Sequence, residues 1–429
     1  MDPKVLVISN TMFGDVNNMG RTLSNMFCQW EKGRIAQLAF QRDKITTRVC
    51  DRYFTITDVD AFKSIINRKP AGRALDNTES LSSSMAQLRK GGGTKAIFRY
   101  FTKRRPFGMF LRNTAWSMAK WKSQKLYDWI DEFAPDVIFF ASGDYTFSYK
   151  IALEISKDKN IPLVTYCCDD FYINKGKFYG PLAKYNRWAF MRAVRSVMER
   201  SSAVVTICDK MTKAYNELFG MTKASAISTS SAMDGVTHEE KNNRIAFLGN
   251  ISLGRHRQLM EIARAVIDID HPNNPMAVDV YTGTTDPVVL DEIKNAEGIR
   301  FMGRVSIDEV TKVMQEAMVV IHTESFDDAN VERVRFSVST KIADSMRMGT
   351  CMLAYGPRDV ASMEYLRNEG AAAVASDEDE LASELTRLVC DEEYRKALSK
   401  RAAELGQNNH TVSANTQKLR QIIGSAVKD

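Results

Sequence analysis

The stretch from Arg335 to Ala354, RFSVSTKIADSMRMGTCMLA, constrains the fold more than any other part of the chain. Met318–Ile321 (MVVI) before it and Cys351–Ala354 at its end are apolar runs of strand length. Between them, Ser337, Ser339 and Thr340 are helix-capping types, and Lys341–Met348 contains no Gly or Pro. Gly349 follows, where a left-handed residue ends a helix. Strand, polar loop, capped helix, glycine and strand in that order describe a parallel α/β sheet, whose carboxyl-end loops face the ligand crevice. The free N–H groups of a helix start placed there favour an anion. Asp344, one turn into the helix and near Lys341 in helical spacing, stands where a carboxylate reaches a diol beside that anion. Phosphate plus diol describes a nucleotide. The same Ser/Thr-rich loop also reads as an ordinary cap, and spacing alone does not separate the two.

The segment SVSTKIADSMRMGTCMLA resembles S-x-P-x-K-φ-φ-E-Y-φ-A-x-G-x-P-V (φ apolar) of glycosyltransferases with the GT-B fold, especially family 4. The resemblance implies two Rossmann-like, doubly wound parallel-sheet domains facing a central cleft. It also implies that the acid at the position of Asp344 binds the donor ribose hydroxyls, with Arg335, Phe336 and Ser337 among the donor-binding positions. Ser339 replaces the family proline, Asp344 replaces the usual glutamate, and Phe336 stands where the E-x7-E pattern has an acid.

With 429 residues the chain has room for two or three domains and ample core. Its longest apolar runs fall far short of a membrane span. The N-terminus, MDPKVLVIS, opens into a strand-like run, so no secretory signal is expected. Seven scattered cysteines, mostly in apolar runs, fit a reduced cytoplasmic protein rather than a disulfide framework. No Cys/His cluster has zinc-ligand spacing, and no metal or cofactor is expected.

Lys4–Ser9 (KVLVIS) reads as a buried first strand, followed by a polar loop and a helix from about Arg21 to Trp30. Gly20 in the loop either lets backbone approach a ligand or serves an ordinary turn. ISNTMFGDVNNMGRTLSNMF resembles the start of family 4 enzymes, which implies that Gly20 and Arg21 sit near donor phosphate or acceptor. Ile35–Phe40, Val137–Ala141, Leu163–Cys168 and Ala203–Ile207 are further strands, and their alternation with helical stretches argues a parallel sheet. Two loops stand at carboxyl ends: Ser142-Gly143-Asp144-Tyr145 and Asp169-Asp170-Phe171-Tyr172. Gly143 and Asp144 are acceptor-side candidates. Asp169 and Asp170 are candidates for sugar binding, base catalysis or metal coordination; the alternative is that one acid caps the next helix while the other is solvated.

Charge is uneven. Thirteen Lys/Arg and two acids fall between Lys69 and Lys125, so the remainder is net acidic although the whole chain is +6. The segment 89–125 interleaves those cations with Phe, Tyr, Trp, Met and Leu after a Gly91-Gly92-Gly93 lead-in. Ile97, Phe98 and Phe101 fall on one helical face, flanked by Arg99, Lys103, Arg104 and Arg105. Such a segment suits an anionic membrane surface, or equally a helix pair with an aromatic core side and solvated charges. Nucleic acid is the least favoured partner.

ICDKMTKAYNELFG reads as a helix ending at Gly220, and residues 221–243 read as a polar crossing into a second domain. Arg244–Leu248 opens a new strand, leading through Gly249-Asn250-Ile251-Ser252-Leu253-Gly254-Arg255-His256-Arg257 to a helix from about Gln258. Glycines let a backbone approach phosphate, and Arg255 or Arg257 supplies a planar fork for paired oxygens. GNISLGRHRQL resembles the family stretch whose basic residue, at the position of Arg255, holds the donor diphosphate. Val278–Thr282 and Ile299–Met302 are the next strands. Phe301–Ser306 resembles the loop whose backbone meets the base, which implicates Gly303, Arg304 and Val305. Met318–His322 leads to Glu324 at another carboxyl end, and residues 376–429 read as helical and highly charged.

The expected organisation is an acceptor-side domain (1–220), a linker (221–243), a nucleotide-sugar domain (244–400) and a closing helix (401–429) returning to the first domain. The expected function is transfer of a sugar from a nucleoside diphosphate-sugar to a glycan or polyprenyl-linked acceptor. The resemblance implies retention of configuration and surface polysaccharide synthesis. Arg255 and Lys341 stabilise the leaving diphosphate, and Gly249, Asn250 and Arg257 line the donor site with Glu324. The expected place is the cytoplasm, with peripheral contact to the inner face of the membrane. A nucleotide-sugar 2-epimerase, which needs acid/base carboxylates and His, and a non-catalytic nucleotide-sugar or glycan-binding protein are the alternatives.

Overall fold

The computed structural model describes residues 1–14, 17–43, 45–47, 49–75, 106–173, 179–233, 235, 242–269 and 276–428. The glycine lead-in and the cationic-aromatic run of residues 89–105 lie outside them. The chain folds as two compact units, Met1–Ile227 with Thr416–Asp429, and Ser228–Asn415. Among the described residues no helix is long and apolar enough to cross a membrane.

In the first unit the elements run β1 (Val5–Ser9), α1 (Asn18–Phe27), β2 (Ile35–Ala39), β3 (Arg52–Thr55), α2 (Asp58–Asn67), β4 (Arg73–Leu75), α3 (Pro106–Met118), α4 (Gln124–Phe133), β5 (Val137–Ala141), α5 (Thr146–Lys159), β6 (Leu163–Cys167), α6 (Pro181–Arg200), β7 (Ala203–Thr206), α7 (Asp209–Phe219) and β8 (Ala224–Ala226). The strands form one sheet in the order β4-β3-β2-β1-β5-β6-β7-β8, parallel except where β4 pairs antiparallel with β3. Every residue of β1, β5 and β6 is buried, as expected of strands covered on both faces. Phe27 of α1 packs edge-on against Phe13, Trp30 and Phe139, which pins the helix to the sheet.

Helix α1 starts before the Arg21 expected from sequence, because Asn17 caps it: its side chain accepts from the Gly20 amide at 2.7 Å. Trp30 lies beyond the helix end but stays buried, donating through Nε1 to the Pro3 carbonyl at 3.0 Å. Gly220 closes α7 in the left-handed conformation, φ 59°, as the sequence predicts. Residues 221–227, read as part of a linker, instead carry the edge strand β8. Trp116 of α3 is buried and stacks on Phe147 at 3.9 Å, with its Nε1 donating to Asp58 at 2.7 Å. Part of the aromatic content of 89–125 is therefore core.

The second unit runs β9 (Asn242–Leu248), α8 (Arg255–Ile267), β10 (Val278–Tyr281), α9 (Pro287–Lys294), β11 (Ile299–Gly303), α10 (Ile307–Glu316), β12 (Ala317–Thr323), α11 (Asp328–Val334), α12 (Thr340–Arg347), β13 (Met352–Tyr355), α13 (Ala361–Glu369), β14 (Ala373–Ala375), α14 (Glu378–Cys390) and α15 (Glu392–Asn409). Its sheet order is β11-β10-β9-β12-β13-β14, all parallel. Ile245, Phe247, Val278, Val280, Val319, Ile321 and Leu353 form the centre of its core with Leu259, Ile262 and Val266 of α8. Burying each such side chain is worth about 1.5–3 kcal/mol.

The final helix, α16 (Val412–Lys428), supplies the first unit's last segment. There Thr416 donates to the Met26 carbonyl at 3.3 Å, and Arg420 forks onto Asp2 at 2.8 and 3.0 Å.

Each sheet reverses its winding once. In the first the reversal falls between β1 and β5, in the second between β9 and β12. In open α/β sheets this is where ligands bind, at the carboxyl ends of the two diverging strands.

Candidate functional site

At the reversal in the second unit, β9 ends at Leu248 and its loop turns through Gly249–Gly254 into α8. Gly254 holds a left-handed conformation, φ 79°, and a Cβ there would meet Ser325 Oγ at 2.5 Å. Glycine is thus required on two counts. The turn starts α8 at Arg255, earlier than the sequence predicts, and puts the guanidinium at the helix N-terminus. β12 ends at Thr323 and delivers Glu324 to the same place. Arg255 Nε and Nη2 donate to Glu324 Oε2 and Oε1, each at 2.9 Å. The Glu324 side chain is only 5 % exposed. Burial pushes its pKa up, against the pull of Arg255 and Lys341.

Lys341 arrives from the other side, in the first turn of α12. Ser339 caps that helix, accepting from the Lys341 amide at 3.4 Å. A Cβ on Gly249 would stand 2.1 Å from Lys341 Nζ, so the glycine makes the space that the ammonium occupies. Burial and then the Arg255 charge push the Lys341 pKa down to about 8, although Glu324 and Asp344 pull it up. The fourth member is His322, buried on β12. Burial, Arg255 and Lys341 together lower its pKa to about 3. Its Nε2 is 3.8 Å from Glu324 Oε1, too far for a hydrogen bond, and has no partner among the described residues. A cavity of roughly 50 Å³ opens among these groups, lined also by Asn250, Thr323 and Ser345. The cavity thus gathers two basic side chains, the Glu324 carboxylate, two helix N-termini and an imidazole nitrogen without a partner among the described residues, a set of groups that can meet an anion carrying hydrogen-bonding groups of its own.

The structure therefore brings together Arg255, Lys341, Glu324, Gly249 and Asn250. It does not bring the others to the same cavity wall. Arg257 is exposed and lies 3.6 Å from Asp327. Gly303 closes β11 at φ 75°, Arg304 is exposed, and Val305 packs against the cluster of Ala246, Leu248 and Tyr281. Phe336 is buried with the Arg335 guanidinium 5.6 Å from its ring, and Ser337 donates its amide to Val334. Asp344 is buried and accepts from Ser231 Oγ at 2.5 Å, so this oxygen of the carboxylate expected at the ribose is engaged within the unit. Ser231 lies in the stretch read as a linker. In the sequence His322 stands only as the end of a strand leading to Glu324, and its burial beside two cations appears only in three dimensions.

At the reversal in the first unit, a Cβ on Gly143 would meet Asn10 Nδ2 at 2.3 Å, so the loops after β1 and β5 are in contact. Asp144 beside it is partly buried. Gly20 faces the loop's own backbone: a Cβ there would meet the Met12 carbonyl at 2.7 Å and the Gly14 carbonyl at 3.0 Å. That space is filled by the protein itself, and Arg21 follows in α1. Of the adjacent acids, Asp170 is a structural group. Its Oδ1 accepts from the amides of Tyr172 at 3.0 Å and Ile173 at 2.9 Å and from Tyr215 Oη at 3.0 Å. Asp169 is exposed. Among the described residues no group of three or more His, Cys, Asp or Glu side chains is placed to hold a metal.

Residues 283–421 match the family model described as glycosyl transferase-like. A search of curated proteins found no match. Among solved structures, Alr3699/HepE of Anabaena in complex with UDP is similar over 98 % of this chain and 100 % of its own, at 12 % identity and TM-score 0.64. A glycosyltransferase from Rickettsia africae is similar over 100 % of both chains, at 11 % identity and TM-score 0.60. The α,α-trehalose-phosphate synthase (UDP-forming) of Burkholderia xenovorans, in complex with glucose-6-phosphate, is similar over 98 % of this chain and 100 % of its own, at 9 % identity and TM-score 0.59. These likenesses bear out the expected fold of two parallel-sheet α/β units.

Proposed function

We propose that this chain, a glycosyltransferase by its matched domain and its fold, moves a sugar from a nucleoside diphosphate-sugar to a hydroxyl of a glycan or lipid-linked acceptor. One observation carries the reading: Arg255 and Lys341 meet at two helix N-termini around a cavity at the sheet's reversal. The UDP bound in the Anabaena structure supports the choice of a nucleoside diphosphate as leaving group.

In the reaction the bond between the anomeric carbon and the diphosphate oxygen breaks, and its electron pair leaves with the diphosphate. The acceptor oxygen bonds to that carbon and loses its proton. Arg255 and Lys341 oppose the charge that grows on the departing oxygens, and such preorganised charge is commonly the largest catalytic term. Two side-chain cations supply what a metal ion would otherwise supply, and the reading is metal-independent. Retention of configuration, membership of family 4 and a role in surface polysaccharide synthesis rest on the sequence resemblance alone. On the same resemblance Asp344 takes the ribose, and the position of Gly143 and Asp144 at a strand's carboxyl end in the first unit supports that unit as the acceptor side. In this reading Asp344 also supports the positive charge of Lys341.

The isomerase alternative loses support. Burial, Arg255 and Lys341 push the His322 pKa down to about 3, and His256 Nε2 is already engaged with Glu292 at 3.0 Å. The test is a turnover assay with nucleotide-sugars in the presence and absence of acceptor. Release of diphosphate that requires acceptor supports transfer, whereas conversion of the nucleotide-sugar without acceptor contradicts it.

A further inference from the structure

We infer that the exposed face of α6 is a docking surface for an anionic lipid bilayer. It deepens the reading of a lipid-linked acceptor, and it rests on that reading only for its purpose. Along α6, Lys184, Tyr185, Trp188, Arg192 and Arg195 are all exposed. Their spacing places them on one stripe of the helix. The sequence from Pro181 carries Lys184, Arg187, Arg192 and Arg195 and no Asp or Glu before Glu199. Tyr185 is 51 % and Trp188 56 % exposed, unusual for side chains of this size.

The aromatic part extends onto α3. Phe110 meets Tyr185 with ring centroids 5.9 Å apart, Tyr185 meets Trp188 at 5.9 Å, and exposed Phe107 lies one turn before Phe110. Asn186 clamps the start of α3 by donating to the Pro106 carbonyl at 2.7 Å, so the two helices present one face. The Arg192 guanidinium sits 5.6 Å from the Trp188 ring. Tyr and Trp beside Lys and Arg are the side chains that settle at the headgroup level of a bilayer, the rings at the acyl boundary and the cations among the phosphates. A second copy of this chain is a poor occupant of the same face, because two-fold pairing would set its cations against themselves.

The molecule carries its own reporter. Of the five tryptophans, Trp30, Trp116, Trp121 and Trp129 are 8 % exposed or less, and Trp188 alone stands in solvent. The full chain should co-sediment with vesicles containing phosphatidylglycerol, but not with phosphatidylcholine alone, and its tryptophan emission should shift to the blue. Trp188→Phe should abolish the shift while leaving most of the binding. Lys184→Glu with Arg192→Glu should cut binding at least about tenfold, and Lys184→Arg with Arg192→Lys should restore it. Donor-induced thermal stabilisation, unchanged in these variants, shows that they are folded. Vesicle binding by a chain that binds no donor would keep this surface and remove the glycosyltransferase reading. The inference is overturned by absence of binding, by equal binding to both lipids, or by binding that survives the charge reversal with no emission change. It is equally overturned if Tyr185→Ala with Trp188→Ala abolishes a dimer, or if the face binds a single-stranded oligonucleotide and no vesicle.

Discussion

Arg255 and Glu324 meet as two forks, Nε and Nη2 each 2.9 Å from a different carboxylate oxygen. One is the first residue of α8 and the other follows the last residue of β12, so the pair bridges the two strands at which the sheet reverses. The contact consumes one edge of the guanidinium and fixes its plane. Removing Glu324 therefore leaves a largely buried cation without its partner. Glu324→Ala should cost roughly 3 kcal/mol of stability, read by urea unfolding. Arg257→Ala, which breaks only an exposed contact with Asp327, should cost less than about 0.5 kcal/mol.

Lys341 gives the site opposite pH responses in its free and bound states. Its pKa in the fold is lowered to about 8 from an ordinary 10.5. The unfolded chain therefore holds more protons than the folded chain between those values, so Lys341 adds stability as pH rises through that window and loses it as pH falls back to about 8. Phosphate needs the ammonium form, so nucleoside diphosphate affinity should fall above about pH 8. Lys341→Gln should flatten both profiles, as followed by thermal melts with and without nucleotide from pH 7 to pH 10.

His322 acts in the acid range. Its pKa drops from 6.5 to about 3, so the folded state keeps it neutral where the unfolded chain protonates it. Its contribution to stability is complete above pH 6.5 and is lost as pH falls toward 3. His322→Gln, which cannot protonate, should unfold at a lower pH than the parent when acid titration is followed by circular dichroism.

Asp170 and Asp169 should separate in a stability measurement. Asp170→Ala strands two amides and the Tyr215 hydroxyl and should cost about 1–3 kcal/mol. Asp169→Ala should stay within about 0.5 kcal/mol. Equal costs from the two would contradict the structural role given to Asp170.

The strands were legible because parallel strands buried on both faces are written as continuous apolar runs. VLVIS, VIFFA and MVVI announce themselves. Arg255 and Lys341 were legible because glycines and capping residues precede each of them. The partners of these cations were harder to see. The bond from Ser231 to Asp344 spans 113 positions from a stretch that reads as linker, and nothing local marks it. His322 follows the continuous apolar run of β12, and nothing local reveals that its Nε2 is left without a partner among the described residues beside a cavity. Two acids at a strand end look alike in sequence, and only the turn they stand in shows that Asp170 is the one holding the amides of Tyr172 and Ile173. The edge strands β4 and β8 have only three residues each, too short for a periodic signal.

The measurement that tests the central claim most directly is calorimetric titration of nucleoside diphosphates into the parent protein, Arg255→Lys and Lys341→Gln. Arg255→Lys keeps a charge beside Glu324, so folding is preserved while the fork is lost. The account predicts that a nucleoside diphosphate binds at one site, more tightly than the matching monophosphate, and that each substitution weakens it at least about tenfold. Nucleotide binding that is indifferent to both substitutions, or no binding by a protein shown to be folded, would contradict it.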